Sequence, residues 1–343
     1  MTGTAGVEDI GWVALDEPTA AGAARRSAER LADKLGLPAA RVAEIGLAVT
    51  EIATNVHRHG GGGAMLLRAR RGAGGAVLEV VALDSGPGIL DLREAHRDGS
   101  STAGTLGIGL GAIGRLADAL EISTEPDRGT VLVARFGAGH HAEVAPAGDL
   151  QAAAGITRAL AGEEVCGDAY AVRGGSRLTL MLCDGSGHGP LAASASRTAV
   201  RVFEDLDQPA PPPAAVLGRI HRALTGSRGG AVAVAELDQV AGLVRYAGVG
   251  NISGAVVTGE DKRTMVSIGG VAGYRQPTIR TFEYPLPAGA VVVMHSDGVR
   301  ARWPADALRG QLGHSPLLIA AALLRDAGAR QDDACVLVGR AGR

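Results

Sequence analysis

The stretch Asp184-Gly185-Ser186-Gly187-His188-Gly189 sets a carboxylate at the end of an apolar run, 178–183, and follows it with backbone almost bare of side chains. Such a stretch suits a ligand that approaches the main chain closely. Two chemistries fit. One is a glycine-rich phosphate cradle at the start of the helix patterned over 191–200. The other is a metal site, with Asp184 as a hard oxygen ligand and Gly185 offering its carbonyl. Further acids shift the balance: Asp168, Asp297 and the pair Asp332-Asp333 also stand at strand edges. One acid at a strand end is commonly a turn cap. Four such positions in a strand-rich region converge on divalent cations, and carboxylates with water suit Mg2+ or Mn2+. Two ions so held would activate a water and clamp a phosphoryl group during hydrolysis.

Asp168 and Asp184 must be brought together by a hairpin, 165–172 and 177–184, around Gly174-Gly175-Ser176. A three-residue loop sets Asp168 opposite Leu182, with Asp184 diagonal to it on the same face. An even-numbered loop would send the two carboxylates to opposite faces.

A second set of polar residues precedes this region. The apolar positions Val42, Ile45, Val49, Ile52 and Val56 have the spacing of an amphipathic helix. Glu51, Asn55 and His59, each four residues on from the last, line one strip beside that stripe. A hairpin, 64–70 and 76–83, runs into Asp84-Ser85-Gly86-Pro87-Gly88. After a polar segment, 91–105, Gly107-Ile108-Gly109-Leu110-Gly111 opens a helix expected to carry Ile113, Leu116 and Leu120, and Gly129-Thr130 leads into a strand at 131–136.

Length and composition frame these sets. The 343 residues fit about two domains. The net charge of −2 gives no strong attraction to nucleic acid or anionic membrane, so neither is expected as a partner. Cys166, Cys183 and Cys335 are an odd, widely spaced set that forms neither a disulfide framework nor a zinc site. The first residues are polar and no apolar run reaches membrane-spanning length, so a cytoplasmic protein is expected. The small and polar segment 137–148 reads as a linker, giving domains at 1–138 and 150–343 with 139–149 between them.

The first set resembles the GHKL ATPases, in the serine-kinase branch of anti-sigma regulators (RsbT, RsbW, SpoIIAB). The run from Glu51 through Asn55 to Gly60 matches the N box, Asp84-x-Gly86-x-Gly88 the G1 box and Gly107-x-Gly109-x-Gly111 the G2 box. The resemblance implies ATP and Mg2+ as cofactors. Asn55 would hold Mg2+ against the phosphates and Glu51 would be the general base toward a serine hydroxyl. Asp84 would accept from the adenine amino group, with Gly86 and Gly88 letting the base lie against backbone. Gly107, Gly109 and Gly111 would give N–H groups to the phosphates, Thr130 would support the adenine pocket, and 91–105 would be a lid.

The second set resembles the PPM-type serine/threonine phosphatases, in the SpoIIE/RsbU/RsbX branch. The matching residues are Gly167-Asp168, Asp184 through Gly189, Ser296-Asp297-Gly298 and Asp332-Asp333-Ala334. The resemblance implies two Mn2+ or Mg2+ ions, bridged by Asp168 and Asp184. The Gly185 carbonyl, Asp297 and Asp332 would complete the ligands, with Asp333 as the alternative to Asp332. His188 is either a proton donor to the leaving serine or a solvated side chain. The Arg-rich opening of larger relatives is missing, so what grips the phosphate is open, with Ser186 and backbone N–H groups as candidates. The expected fold is α+β in two domains, a GHKL (Bergerat) α/β sandwich followed by a PPM αββα sandwich. The implied function is a bifunctional switch, a protein serine kinase and a phosphoserine phosphatase acting on STAS-domain anti-anti-sigma or stressosome proteins. The alternative is an N-domain that only binds ATP or sequesters a sigma factor.

Overall fold

The computed structural model describes residues 6–72, 74–92, 109–139, 152–174, 177–207, 209–274, 278–329 and 331–340. Gly107, most of the expected lid and most of the expected linker lie outside these residues. The chain divides into two compact units, Met1–Leu150 and Gln151–Arg343.

In the first unit, helices α1 (Ala20–Lys34) and α2 (Ala39–His59) cover one face of a five-stranded antiparallel sheet. Its order is β1 (Gly6–Ala14), β2 (Gly63–Gly72), β3 (Gly75–Asp84), β5 (Gly129–Phe136), β4 (Ala119–Glu125). Ile45, Val49, Ile52 and Val56 of α2 are buried against Leu67, Val80 and Leu132, as their spacing requires. Each such side chain contributes roughly 1.5–3 kcal/mol on full burial.

One element here had no reading from sequence, and a residue of another was misplaced. Strand β1 has no apolar alternation, because it is an edge strand with mostly exposed side chains and a bulge between Asp9 and Gly11. Helix α3 (Leu110–Leu116) stops short of Leu120, which pairs with Ala134 in the β4–β5 ladder. The buried Arg41 of α2 accounts for the early stop. Its guanidinium donates to the Leu116 carbonyl at 2.6 Å and pairs with Asp118 at 2.8 Å, holding the chain where it leaves the helix.

On the sheet face away from α1 and α2, Glu79 lies between Arg135 at 3.1 Å and Arg68 at 3.9 Å. Arg68 also reaches Asp9 at 2.7 Å, and Arg135 reaches Glu121 at 2.7 Å. Burial pushes the Glu79 carboxyl up, but the guanidinium groups of Arg68, Arg135 and Arg70 outweigh it and hold it below the ordinary glutamate value.

The second unit is two five-stranded antiparallel sheets between helices. One has the order β13 (Phe282–Pro285), β10 (Leu243–Val249), β9 (Gly230–Asp238), β8 (Leu178–Gly185), β7 (Asp168–Arg173). The other has the order β12 (Lys262–Met265), β11 (Ser253–Val257), β14 (Val291–His295), β15 (Ala334–Arg340), β6 (Ala153–Arg158). Helices α4 (Gly189–Glu204) and α5 (Pro213–Ala223) pack on the first sheet, and α6 (Pro316–Ala327) on the second. Strand β8 shows how alternation divides this core. Leu178, Leu180 and Leu182 enter the layer between the sheets, while Met181 and Cys183 face α4 and α5. The expected layering, an α/β sandwich and then an αββα sandwich, is present.

Cys166, Cys183 and Cys335 carry free thiols. Among the described residues no helix is long and apolar enough to cross a membrane.

Two candidate active sites, one in each unit

In the second unit the acids collect where the two sheets end. Asp168 pairs directly with Asp184 across the β7–β8 ladder, which closes at Arg173 opposite Thr179. The odd parity that keeps both carboxylates on one face is met. The register is two residues off the expected pairing with Leu182, since 174–178 all lie outside the ladder. Asp184 continues the side of β8 that carries Leu182, so both acids cap the inter-sheet layer.

Asp168 is buried, and its Oδ2 has no hydrogen-bond partner. Burial drives its carboxyl well above the usual range, Asp184 adds to that, and a hydrogen bond with Ser296 partly offsets it. Asp184 is pushed up to about 7, first by burial and then by Asp297, Asp332 and Asp333. It shares a hydrogen bond with Asp297, which also accepts from the Asn251 Nδ2 through Oδ2 at 2.7 Å. Burial and then Asp332 raise Asp297 as well. These carboxylates repel one another, and a cation relieves that repulsion.

The Asp332-Asp333 pair separates by role. Asp333 is buried and accepts from the Leu160 N–H at 2.8 Å and the Gly167 N–H at 2.9 Å. It ties β15 to the residue just before Asp168. Asp332 is exposed, accepts the short-range Asp333 N–H at 2.9 Å, and acts on Asp184 and Asp297 electrostatically. Gly185 donates its N–H to Gly167 O at 3.2 Å. His188 is more than half exposed, with Nδ1 2.6 Å from Glu163 Oε1. Among the described residues no three His, Cys, Asp or Glu side chains already stand in a metal-holding arrangement. The donor set is nevertheless all hard oxygen, and the unpartnered Asp168 Oδ2 is the kind of atom a divalent ion would satisfy.

In the first unit, Glu51 and Asn55 sit half-buried one turn apart on α2. Burial raises the Glu51 carboxyl above its ordinary value, with Arg58 pulling the other way. Asp84, at the end of β3, accepts from the Gly86 N–H at 3.0 Å and the Thr130 N–H at 3.1 Å through Oδ1. The Thr130 hydroxyl lies 3.3 Å from that of Thr124, which in turn accepts from the Ile89 N–H at 2.7 Å. A side chain at Gly86 would strike Gly60 Cα at 2.7 Å and His59 O at 2.9 Å. At Gly88, with φ +76°, it would meet Glu125 O at 2.5 Å. The bare backbone at these two positions is therefore first demanded by the chain itself, which packs the end of α2 against the Asp84 loop. Gly109 precedes α3 as its N-cap, and Gly111 lies in its first turn.

Comparison with known proteins bears on both sites. Residues 15–136 match the histidine kinase-like ATPase domain, and residues 174–341 match stage II sporulation protein E (SpoIIE). Serine/threonine-protein kinase RsbT of Bacillus subtilis (strain 168) is 35% identical over 112 residues, 33% of this chain and 84% of that protein. The chain belongs to the RsbT-like kinase family and carries a SpoIIE-type phosphatase domain. Among solved structures, one from work on "the bacterial stressosome: a modular system that has been adapted to control secondary messenger signaling" is 30% identical, with a TM-score of 0.50 over 55% of this chain and 98% of that one. RsbX in complex with magnesium is 20% identical, with a TM-score of 0.48 over 55% and 94%.

Three contributors to the SpoIIE-type site had no role assigned from sequence. Asn251 and Ser296 hold Asp297 and Asp168, and Leu160 supplies an N–H to Asp333. Ser296 precedes an aspartate already singled out, and that adjacency was the one available signal. Asn251 stands in the segment 247–252 that resembles the RsbX-type variant, but like Leu160 it lies outside the ladders, and only the fold brings either to the acids.

Proposed function

We propose that this chain is a partner-switching regulator with two opposed phosphoryl-transfer activities. The RsbT-like domain phosphorylates a serine or threonine of a STAS-domain partner, and the SpoIIE-type domain hydrolyses the phosphate from that partner or a relative. The observation that carries this reading is one chain in which a kinase-like domain, with a half-buried glutamate beside Asn55, joins a domain whose sheet ends gather Asp168, Asp184, Asp297 and Asp332.

In the first domain Asp84 binds the adenine edge of ATP from a loop held rigid by Gly86 and Thr130. Gly109 and Gly111, with Gly107, offer backbone N–H groups to the phosphates. Asn55 would hold Mg2+, which would supply charge neutralisation for the phosphates. Glu51, with proton affinity raised by burial, accepts the proton of the attacking hydroxyl. Most of the catalysis is positioning and charge neutralisation.

In the second domain Asp168 and Asp184 would hold two Mn2+ or Mg2+ ions between them, with the Gly185 carbonyl, Asp297 and Asp332 as further ligands. Such ions supply a nucleophilic water at neutral pH and stabilise charge on the phosphoryl oxygens. Asp333 is a positioning residue: it holds the Gly167 backbone and so fixes where Asp168 points. Asn251 orients Asp297 in the same way.

The test is phosphate release from a serine-phosphorylated STAS protein in Mn2+, wild type against Asp184→Ala, with a parallel labelled-ATP reaction comparing wild type with Glu51→Ala. Release that depends on Asp184, and incorporation that depends on Glu51, are expected. Release that is equal in wild type and Asp184→Ala would sink the phosphatase half, and incorporation indifferent to Glu51 the kinase half.

A further inference from the structure

The carboxylate site lacks a visible counter-charge for the phosphate it would bind, and the β8–β9 register points to one. Asp184 pairs with Ala231 and Gly185 with Gly230. The Ser186 N–H then donates to Gly229 O at 3.0 Å. The ladder itself ends at Gly185 and Gly230, and Gly187 and Arg228 lie just beyond it on the two segments. Gly187 adopts φ +86°, and a Cβ there would lie 3.0 Å from Arg228 Nη1, so the guanidinium lies beside the glycine of the Asp184 loop.

The backbone beneath Arg228 is held on several sides. Gly229 N–H donates to Ser227 Oγ at 3.0 Å, and Gly230 N–H to Ala272 O at 3.1 Å. The Ser227 hydroxyl donates to Leu224 O at 2.6 Å. Gly229, at φ +68°, has the Tyr274 ring 3.0 Å from where its Cβ would be. The head of Arg228, by contrast, is exposed and makes no hydrogen bond or ion pair among the described residues. A fixed stem with an uncommitted guanidinium, next to the loop that carries Asp184, is the arrangement that binds a phosphate monoester through paired N–H donors.

We propose that Arg228 is the phosphate-gripping residue of the SpoIIE-type site, binding the non-bridging oxygens of the phosphoserine phosphate. This rests on the phosphatase reading above and answers, with a named side chain, what holds the phosphate. Glycine at 187 is favoured by its φ of +86°, and Ser186 and the backbone N–H groups become secondary contacts.

The experiment uses the full chain in Mn2+ and two readouts. The first is hydrolysis of p-nitrophenyl phosphate and of a phosphoserine STAS protein. The second is calorimetric binding of inorganic phosphate to the Mn2+-loaded protein. Arg228→Ala should weaken phosphate binding and raise KM by roughly 10–100-fold, the range for losing a charge-assisted hydrogen-bonding pair. Its Mn2+ affinity and melting temperature should match wild type. Arg228→Lys should fall between the two, since it keeps the charge and loses the fork. Unchanged phosphate affinity and KM in Arg228→Ala would overturn the proposal. So would a parallel loss of Mn2+ binding, which marks a structural role. If wild type hydrolyses neither substrate, the phosphatase reading fails, while the phosphate isotherms of wild type and Arg228→Ala still decide whether Arg228 binds the anion.

Discussion

Asp84 and Asp184 each end a strand, and each opens a glycine-containing loop, yet their surroundings are opposite. Asp84 has its Oδ1 bound by the Gly86 and Thr130 N–H groups, so the protein itself satisfies it. Asp184 faces Asp168, Asp297 and Asp332, and is pushed up to about 7. The first acid is held as a fixed acceptor by backbone donors. The second stands among like charges whose repulsion a cation would relieve. The same division runs through the Asp332-Asp333 pair, where one acid is spent on backbone and its neighbour is left facing the site. An acid committed to protein donors should cost stability when removed, and an acid left uncommitted should cost activity.

The largest effect is expected at Asp184. Asp184→Asn should lower phosphatase activity by more than the roughly 10–100-fold that follows loss of a residue orienting a metal ligand. Its melting temperature without metal should equal or exceed that of wild type, because a repelling charge is gone. A lower melting temperature in the metal-free protein would break the comparison.

Glu79 supplies the strongest stability counterpart. Glu79→Ala leaves Arg68 and Arg135 without their shared partner and should cost about 3–5 kcal/mol, measured by urea unfolding of the full chain. Its carboxyl is held below the ordinary value, so the folded state favours the ionised form. That stabilisation is fully present above the unfolded glutamate value of about 4.3. It is lost as pH falls through the lower folded value. Acid titration of wild type against Glu79→Gln should show a difference that shrinks below that window. A difference that grows there contradicts the assignment.

Asp333→Ala strips partners from two backbone N–H groups, Leu160 and Gly167, at about 1–3 kcal/mol each. Asp332→Ala should stay within roughly 0.5 kcal/mol of wild type while lowering phosphatase activity. Equal melting temperatures for these two variants would erase the distinction between them. The comparison extends to the Asp84 loop at Gly88→Ala, where φ +76° and the Glu125 carbonyl at 2.5 Å leave no room for a methyl. It should cost roughly 1–3 kcal/mol and weaken ATP binding, read by calorimetry.

Much of the α2 site was legible because helix periodicity is local. Once Ile45, Val49, Ile52 and Val56 define the buried stripe, Glu51 and Asn55 fall beside it without further information. The Asp168–Asp184 pairing was legible in parity but not in register. Parity depends only on whether the intervening count is odd, whereas the register depends on where the ladder closes, here two residues further out. The bond network of Asp333 could not be read in advance, because Leu160 and Gly167 reach it from across the fold. Leu120 was misplaced for a similar reason: the buried Arg41, far back in the chain, takes the Leu116 carbonyl and ends α3 early. Strand β1 gave no signal, since an exposed edge strand has no buried face to enforce alternation.

The central claim, that one chain both adds and removes phosphate on a partner serine, is tested most directly by a single time course. Labelled ATP, Mg2+ and Mn2+ are mixed with STAS-domain proteins and with wild type, Glu51→Ala or Asp184→Ala, and label on the partner is followed. The account predicts label that rises and then falls with wild type, label that accumulates and persists with Asp184→Ala, and none with Glu51→Ala. Label that decays equally fast with wild type and Asp184→Ala, or that appears regardless of Glu51, would contradict it.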